Sequence, residues 1–171
     1  MASALKNLSV YDETNLPDAS EMSFGIVVAD WNPKITHALY EGCVEALTKH
    51  GVAAEKMFTS QVPGSFELPL GARILNSQNN PDALICLGCV IKGETRHDEY
   101  INQALATGLM TLGLTTGKPF IFGILTCETE QQALDRAGGI HGNKGIESAI
   151  TAIRMVGLKK GVGAVKKKIG F

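Results

Sequence analysis

Long apolar segments and an excess of charge of either sign are both missing from this sequence. No apolar run approaches the roughly 20 residues that a membrane span needs. The 171 residues carry 16 basic and 17 acidic side chains. This balance points to neither a nucleic acid nor an anionic membrane as a partner. Apolar residues make up 44% of the chain, which excludes a disordered protein and is enough for one packed domain.

Cysteine is scarce, and a secretory signal is not recognisable. The N-terminal residues lack the basic and apolar segments of a signal peptide, so we expect a cytoplasmic location. Cys86 and Cys89 have the Cys-x-x-Cys spacing of redox and zinc sites. They lie in the apolar run 83–91, which predicts a buried strand, and strand residues three apart point to opposite faces. We therefore expect core cysteines, no metal site and no cofactor.

From Ser23 onward, short apolar runs alternate with longer helical patterns. Strands are predicted over 24–29, 56–61, 83–91 and 120–125. Three helices are predicted from their N-terminal signals: one after an Asn32 N-cap and Pro33, one from a Ser65 cap, and one near His97, where Thr95 and Asp98 have capping-box spacing. Two more are predicted near 130–137 and over 143–158. Strands that are apolar on both faces predict an α/β fold, a three-layer α/β/α sandwich with a central four-stranded parallel sheet.

The predicted domain covers residues 23–158, between a polar N-terminal arm (1–22) and a Lys-rich C-terminal tail (159–171). The tail contains Lys159, Lys160, Lys166, Lys167 and Lys168. Five lysines could bind a polyanion, but at the end of a nearly neutral chain they are more typical of a solvated helix end.

Ligands of parallel α/β sheets bind beyond the carboxyl ends of the strands, and the loop after the third predicted strand is the most informative one. Residues 88–95 nearly match the P-loop pattern, but Glu94 stands where its lysine belongs, which argues against a nucleotide triphosphatase. What remains is a glycine turn before a helix N-terminus, with Thr95 and then His97 in the first turn. Free N–H groups there favour an anion, and a neutral His97 would be available as a base. A capped helix that binds nothing is the alternative.

Several other loop residues have chemistry that suits a flat or anionic ligand. Trp31 follows the first strand, and Ser65, Phe66 and Glu67 follow the second; a ring face there could stack on a heterocycle or simply shield a loop. Arg136 and Lys144 flank a Gly-rich turn. They could bind phosphate or be ordinary solvated surface residues.

Three segments, 62–69, 88–100 and 120–145, resemble in order and spacing the 6,7-dimethyl-8-ribityllumazine synthase family, and the resemblance runs from about Phe24 to Val156. It implies a flavodoxin-like fold and a cofactor-free transferase of riboflavin biosynthesis. The reaction implied condenses 5-amino-6-(D-ribitylamino)uracil with 3,4-dihydroxy-2-butanone 4-phosphate to 6,7-dimethyl-8-ribityllumazine, releasing phosphate and water.

The resemblance also implies roles for individual residues. His97 would transfer protons, and Arg136 would be the main anchor of the phosphate, which Glu94 and Thr95 would also bind. The pyrimidine and ribityl groups would be bound by a set of loop and strand residues: Trp31, Ser65, Phe66, Glu67, Val90, Ile91, Phe122 and Lys144. Of all these, Phe122, Arg136 and Lys144 would come from a neighbouring subunit.

Family members form homopentamers, and some build icosahedral sixty-subunit cages, which implies an active site shared by adjacent subunits. The turn from Arg136 to Lys144 is short and lacks an insertion seen in some pentamer-only relatives, which favours a cage. The N-terminal arm is a candidate edge strand for a neighbouring subunit. Two other functions remain open: a flavin-binding protein without catalysis, which would not need Thr95, His97 and Arg136, and a structural shell protein.

Overall fold

A parallel sheet of four strands forms the centre of the molecule, as predicted. The computed structural model describes Asn7 and residues 9–161. The strands are β1 (Phe24–Ala29), β2 (Met57–Val62), β3 (Ala83–Ile91) and β4 (Phe120–Cys127), in the spatial order β2-β1-β3-β4. Every pairing is parallel, so all carboxyl ends lie at one edge of the sheet.

Helices cover both faces of this sheet. They are α1 (Pro33–Lys49), α2 (Leu68–Asn79), α3 (His97–Thr116), α4 (Glu130–Asp135) and α5 (Lys144–Lys160). Short 3-10 turns, Ala54–Lys56 and Ser65–Glu67, precede β2 and α2. A small antiparallel hairpin of β5 (Ala137–Gly139) and β6 (Gly142–Asn143), which the sequence patterns did not predict, lies between α4 and α5. No helix in the described part of the chain is long and apolar enough to cross a membrane.

The sheet separates two apolar cores, which confirms the three-layer architecture. Side chains of β1 alternate between them: Phe24, Ile26 and Val28 pack with α1 and α5, whereas Val27 and Ala29 pack with α2 and α3. Burial on both faces explains why the strands are almost continuously apolar.

The cysteine pair is divided by the sheet, as the strand geometry predicted. Cys86 belongs to the core beneath α2 and α3, and Cys89 to the core beneath α1 and α5. Burial raises the pKa of Cys43, Cys86 and Cys89 to about 12. These thiols therefore stay protonated at neutral pH.

The predicted helix caps were wrong in three places. Asn32 precedes α1 in a left-handed conformation (φ 61°) and its side chain does not cap the helix. Ser65 begins a 3-10 turn rather than capping α2. The residue before α3 is Arg96, without a side-chain cap, so Thr95 and Asp98 form no capping box. Asn32 and Ser65 instead bond to a distant strand, as described below.

The described part of the N-terminal arm lies against its own domain. Ala19 and Met22 are buried in the core beneath α1 and α5. The Ser9 hydroxyl donates to the Asn143 carbonyl oxygen at 3.1 Å. Residues 1–6 and 8 of the arm, and Lys166, Lys167 and Lys168 of the predicted tail, are outside the described residues. The division at residues 22 and 158 stays a prediction.

Candidate active site

A groove of about 480 Å³ opens where β1, β2 and β3 end, at the edge where the topology predicts a ligand site. It brings together many of the predicted site residues, namely Trp31, Ser65, Phe66, Glu67, Val90, Ile91, Thr95 and His97. These residues come from three separate segments, at the carboxyl ends of β1, β2 and β3. The fold therefore assembles this part of the predicted site within one subunit.

Hydrogen bonds fix the two loops that carry the aromatic residues. The β1–β2 ladder continues past the strands, with Asp30 N–H donating to Val62 O (2.8 Å) and Trp31 N–H to Pro63 O (3.2 Å). The Asn32 side chain then donates from Nδ2 to the Cys89 carbonyl oxygen on β3 at 3.1 Å. This bond explains the left-handed backbone of Asn32, since it directs the side chain across the sheet edge instead of along α1.

The aromatic side chains at the groove are exposed, which is unusual for residues of this size. Trp31 is 72% and Phe66 60% accessible, so each offers a ring face that a planar ligand could cover. Ser65 beside them is buried and its hydroxyl approaches the Cys89 carbonyl oxygen at 3.5 Å. The Glu67 carboxylate lies over Gly64 at the start of the same turn.

The N-terminus of α3 forms another part of the groove wall. Thr95, His97 and Asp98 line the groove there, next to the uncapped N–H groups of a 20-residue helix. Such a helix end carries a partial positive charge and favours anions. Glu94 is exposed and lies outside the groove lining, so its carboxylate does not face the helix end from within the groove.

The predicted phosphate anchor Arg136 and the predicted pyrimidine or ribityl ligand Lys144 lie apart from the groove, in a cation cluster formed by α4, the hairpin and α5. Arg136 follows α4 and Lys144 begins α5, and their side chains are only 17% and 29% accessible. Both contact Glu147, at 2.7 Å and 3.6 Å respectively. The cation cluster is thus preformed inside the subunit.

Phe122 lies on the edge strand β4, half-buried against the core beneath α2 and α3. It lines a second, apolar groove between α3 and α5. Exposed apolar side chains surround this groove, including Met110, Leu114 and Leu158 at 63%, 77% and 70% accessibility. Apart from Glu94, the predicted site residues of a single subunit therefore form a groove set and a second set of Phe122, Arg136 and Lys144.

Two residues with clear roles in this geometry were missed from sequence. Asn32 was assigned only to a helix cap, and Glu147 was not singled out. The spacing of Glu147, three residues after Lys144 in the first turn of α5, was the available signal. In the described residues, no group of three His, Cys, Asp or Glu side chains could hold a metal ion.

Comparison with known proteins gives one consistent result. The family model described as 6,7-dimethyl-8-ribityllumazine synthase matches residues 21–160. The chain is similar to the 6,7-dimethyl-8-ribityllumazine synthases of Cytophaga hutchinsonii and Parabacteroides distasonis, each 53% identical over 156 residues, covering 91% of this chain and 98% of the relative. It is also similar to that of Flavobacterium psychrophilum, at 48% identity over 160 residues, covering 94% of this chain and 85% of the relative.

Proposed function

Since this chain belongs to the 6,7-dimethyl-8-ribityllumazine synthase family, we propose that the groove at the ends of β1, β2 and β3 is one half of its active site. The chain is a transferase of riboflavin biosynthesis with small-molecule substrates. It condenses 5-amino-6-(D-ribitylamino)uracil with 3,4-dihydroxy-2-butanone 4-phosphate, and releases phosphate and water to give 6,7-dimethyl-8-ribityllumazine.

The pyrimidine occupies the aromatic end of the groove. Trp31 and Phe66 offer their exposed ring faces to a planar heterocycle. The backbone groups of Val90 and Ile91, where β3 ends, meet the uracil edge, while Ser65 and Glu67 bind the hydroxyls of the ribityl chain. The support for this placement is that one groove contains all of these residues.

The phosphate of the second substrate binds at the N-terminus of α3. The backbone N–H groups of Glu94 and Thr95 and the Thr95 hydroxyl are its donors in this subunit, and the helix end supplies positive potential. Arg136 is the main anchor, because a guanidinium binds a phosphate through two parallel hydrogen bonds. His97, in the same helical turn, transfers protons during imine formation and phosphate elimination, a contribution typically worth about 10²- to 10⁴-fold.

A neighbouring subunit completes the site. Within one subunit Phe122, Arg136 and Lys144 lie outside the groove, so their participation requires a second copy. The apolar groove between α3 and α5, which contains Phe122, is a surface of the kind that subunit interfaces cover. A homopentamer, with assembly into a sixty-subunit cage, is part of this proposal. So is a cytoplasmic location, which fits four cysteines present as free thiols.

One observation carries the proposed site: the loops after three strands place two exposed aromatic rings and an uncapped helix N-terminus with His97 around one cavity. The assay incubates the protein with both substrates and follows the absorbance of the lumazine product. The main source of rate enhancement in this proposal is that both substrates are bound in reacting geometry. Intramolecular reactions with well-oriented groups reach effective molarities of about 10⁵ M or more. If Trp31→Ala and His97→Ala both retain the wild-type kcat/KM, the reaction occurs elsewhere on the protein.

A further inference from the structure

Glu147 contacts both cations of the cation cluster, Arg136 and Lys144. Its Oε1 and Oε2 accept hydrogen bonds from Arg136 Nη1 at 2.7 Å and Nη2 at 3.0 Å. Lys144 Nζ lies 3.6 Å from the same carboxylate. Only 19% of the Glu147 side chain is accessible, so the pair is better shielded from solvent than an ordinary surface ion pair.

These contacts use the end of the Arg136 guanidinium and leave one of its sides without a hydrogen-bond acceptor among the described residues. Nη1 uses its second proton on the His141 carbonyl oxygen, at 2.8 Å. The Nε proton and the second Nη2 proton have no acceptor within the residues that the structure describes. Nε and Nη2 form the side of the guanidinium, where two parallel N–H groups match two oxygens of a phosphate.

We infer that Glu147 is a positioning residue: it holds the end of the Arg136 guanidinium so that the Nε–Nη2 edge remains the donor edge for the phosphate of the butanone substrate. The inference rests on the proposed function, in which Arg136 anchors that phosphate. Glu147 touches neither substrate. Its effect is to remove rotational freedom from Arg136 before binding, which lowers the entropic cost of forming two directional hydrogen bonds.

A purely electrostatic role and a positioning role of Glu147 predict opposite changes in phosphate affinity when Glu147 is neutralised. Removing a negative charge beside Arg136 and Lys144 raises the local positive potential, which by itself would tighten phosphate binding. Releasing the guanidinium end gives Arg136 more rotamers and would weaken it. The direction of the change in phosphate affinity therefore distinguishes a positioning residue from one that only balances charge.

The test compares wild type, Glu147→Gln and Glu21→Gln. Glu21 pairs with Lys56 at 3.1 Å and its side chain is 89% accessible, so its variant is a control for the loss of one charge. Inorganic phosphate is the probe, titrated by calorimetry, and KM is measured separately for each substrate. We expect Glu147→Gln to weaken phosphate binding roughly 10-fold and to raise the KM of the phosphate substrate, with the KM of the pyrimidine unchanged. The Glu21 variant should match wild type.

Glu147→Asp covers the case in which Glu147→Gln folds poorly, and a double variant separates positioning from a purely structural role. Glu147→Asp keeps the charge but is one methylene shorter, which should break the two-bond contact with Nη1 and Nη2, so phosphate binding should also weaken. In an Arg136→Lys background, Glu147→Gln should have much less effect, because an ammonium is not held by two parallel bonds. Equal losses in both backgrounds would indicate a structural role only.

Two failures are distinguishable. Phosphate affinity that is unchanged or increased in Glu147→Gln, with normal wild-type turnover, overturns the role of Glu147 alone. A wild-type protein that forms no lumazine from the two substrates overturns the proposed function, whatever the phosphate affinities are.

Discussion

At the scale of single residues, the carbonyl oxygen of Cys89 determines the shape of the groove. It accepts from Asn32 Nδ2 at 3.1 Å and lies 3.5 Å from the Ser65 hydroxyl. The loops that carry Trp31 and Phe66 are therefore held at the end of the same strand. The residue before Cys89 has to be glycine, because a Cβ at Gly88 would lie 2.7 Å from the Ser65 hydroxyl oxygen.

His97 and Arg136 should contribute unequally to the reaction. We expect His97→Ala to slow turnover by about 10²-fold or less, because water can replace a proton-transfer group that is exposed to solvent. Arg136→Ala should lose more in kcat/KM, since nothing else in the cation cluster offers two parallel donors to phosphate. Steady-state kinetics with both substrates measures each effect.

The control for these variants is Lys34→Ala, which removes an exposed cation at the start of α1 and should leave kcat/KM near wild type. An inactive His97→Ala together with a nearly normal Arg136→Ala would reverse the roles assigned to the two residues.

At the scale of secondary-structure elements, α1 and α5 approach so closely that glycine is required between them. A Cβ at Gly145 would clash with the carbonyl oxygen of Leu39 in α1, a backbone atom that cannot rotate away. Overpacking of this kind costs about 1–3 kcal/mol or more. We expect Gly145→Ala to lower Tm by about 5 °C or more, as measured by calorimetry.

Gly113 in α3 is the matched control, because a Cβ there would lie 3.5 Å from its nearest neighbour, the Lys118 carbonyl oxygen. Alanine at this helix-interior position should raise stability by roughly 0.5–1 kcal/mol. A Gly145→Ala variant as stable as Gly113→Ala would mean that the two helices separate without cost.

Asp82 links the N-terminal ends of two strands with the end of α5. Its carboxylate accepts from the Ser23 N–H at 2.8 Å and pairs with Lys160 at 3.1 Å. Burial alone would raise the pKa of Asp82, but the Ser23 and Lys160 contacts bring it below its ordinary value. A carboxyl whose pKa is lower in the folded state stabilises the fold above its unfolded pKa, and the stabilisation is lost as the pH falls through the folded pKa.

Asp82→Asn should therefore have a lower Tm than wild type at pH 6. The difference should begin to shrink below about pH 3.9 and disappear as the pH falls through the lower pKa of the folded protein, where the wild-type carboxyl becomes protonated. Thermal melts from pH 6 to pH 2.5 measure it. A constant difference across this range would show that protonation of Asp82 is not involved.

Element types were predictable from the sequence, whereas element ends and long-range contacts were not. Periodicity identified β3 and the helix after Pro33 because burial on both faces or on one stripe leaves a local pattern. The wrong caps at Asn32 and Ser65 have one cause: their side chains bond to Cys89, and local sequence cannot indicate a partner that distant. The β5–β6 hairpin was missed because strands of three and two residues have no measurable period.

At the scale of the whole molecule, the fold separates the proposed site into two preformed halves. The groove half lies at the ends of β1, β2 and β3, and the cation half lies around Glu147. Each half is fixed by contacts within its own subunit, so association needs to align them but does not need to build them. Pre-organisation of this kind reduces the entropic cost of catalysis. If the proposed shared site is correct, subunit assembly is a condition of activity.

Mixed assemblies of two impaired variants test this arrangement directly. His97→Ala damages the groove half and Arg136→Ala the cation half. If each site combines halves from two subunits, co-expression at equal levels gives about one quarter of sites with both halves intact. The mixed protein should then exceed the mean kcat of the two variants by about one quarter of the wild-type value.

Co-expression of His97→Ala with Trp31→Ala, both in the groove half, should give only the mean, because every groove then carries one substitution. A gain in neither mixture would place the cation half and the groove of each site in the same subunit.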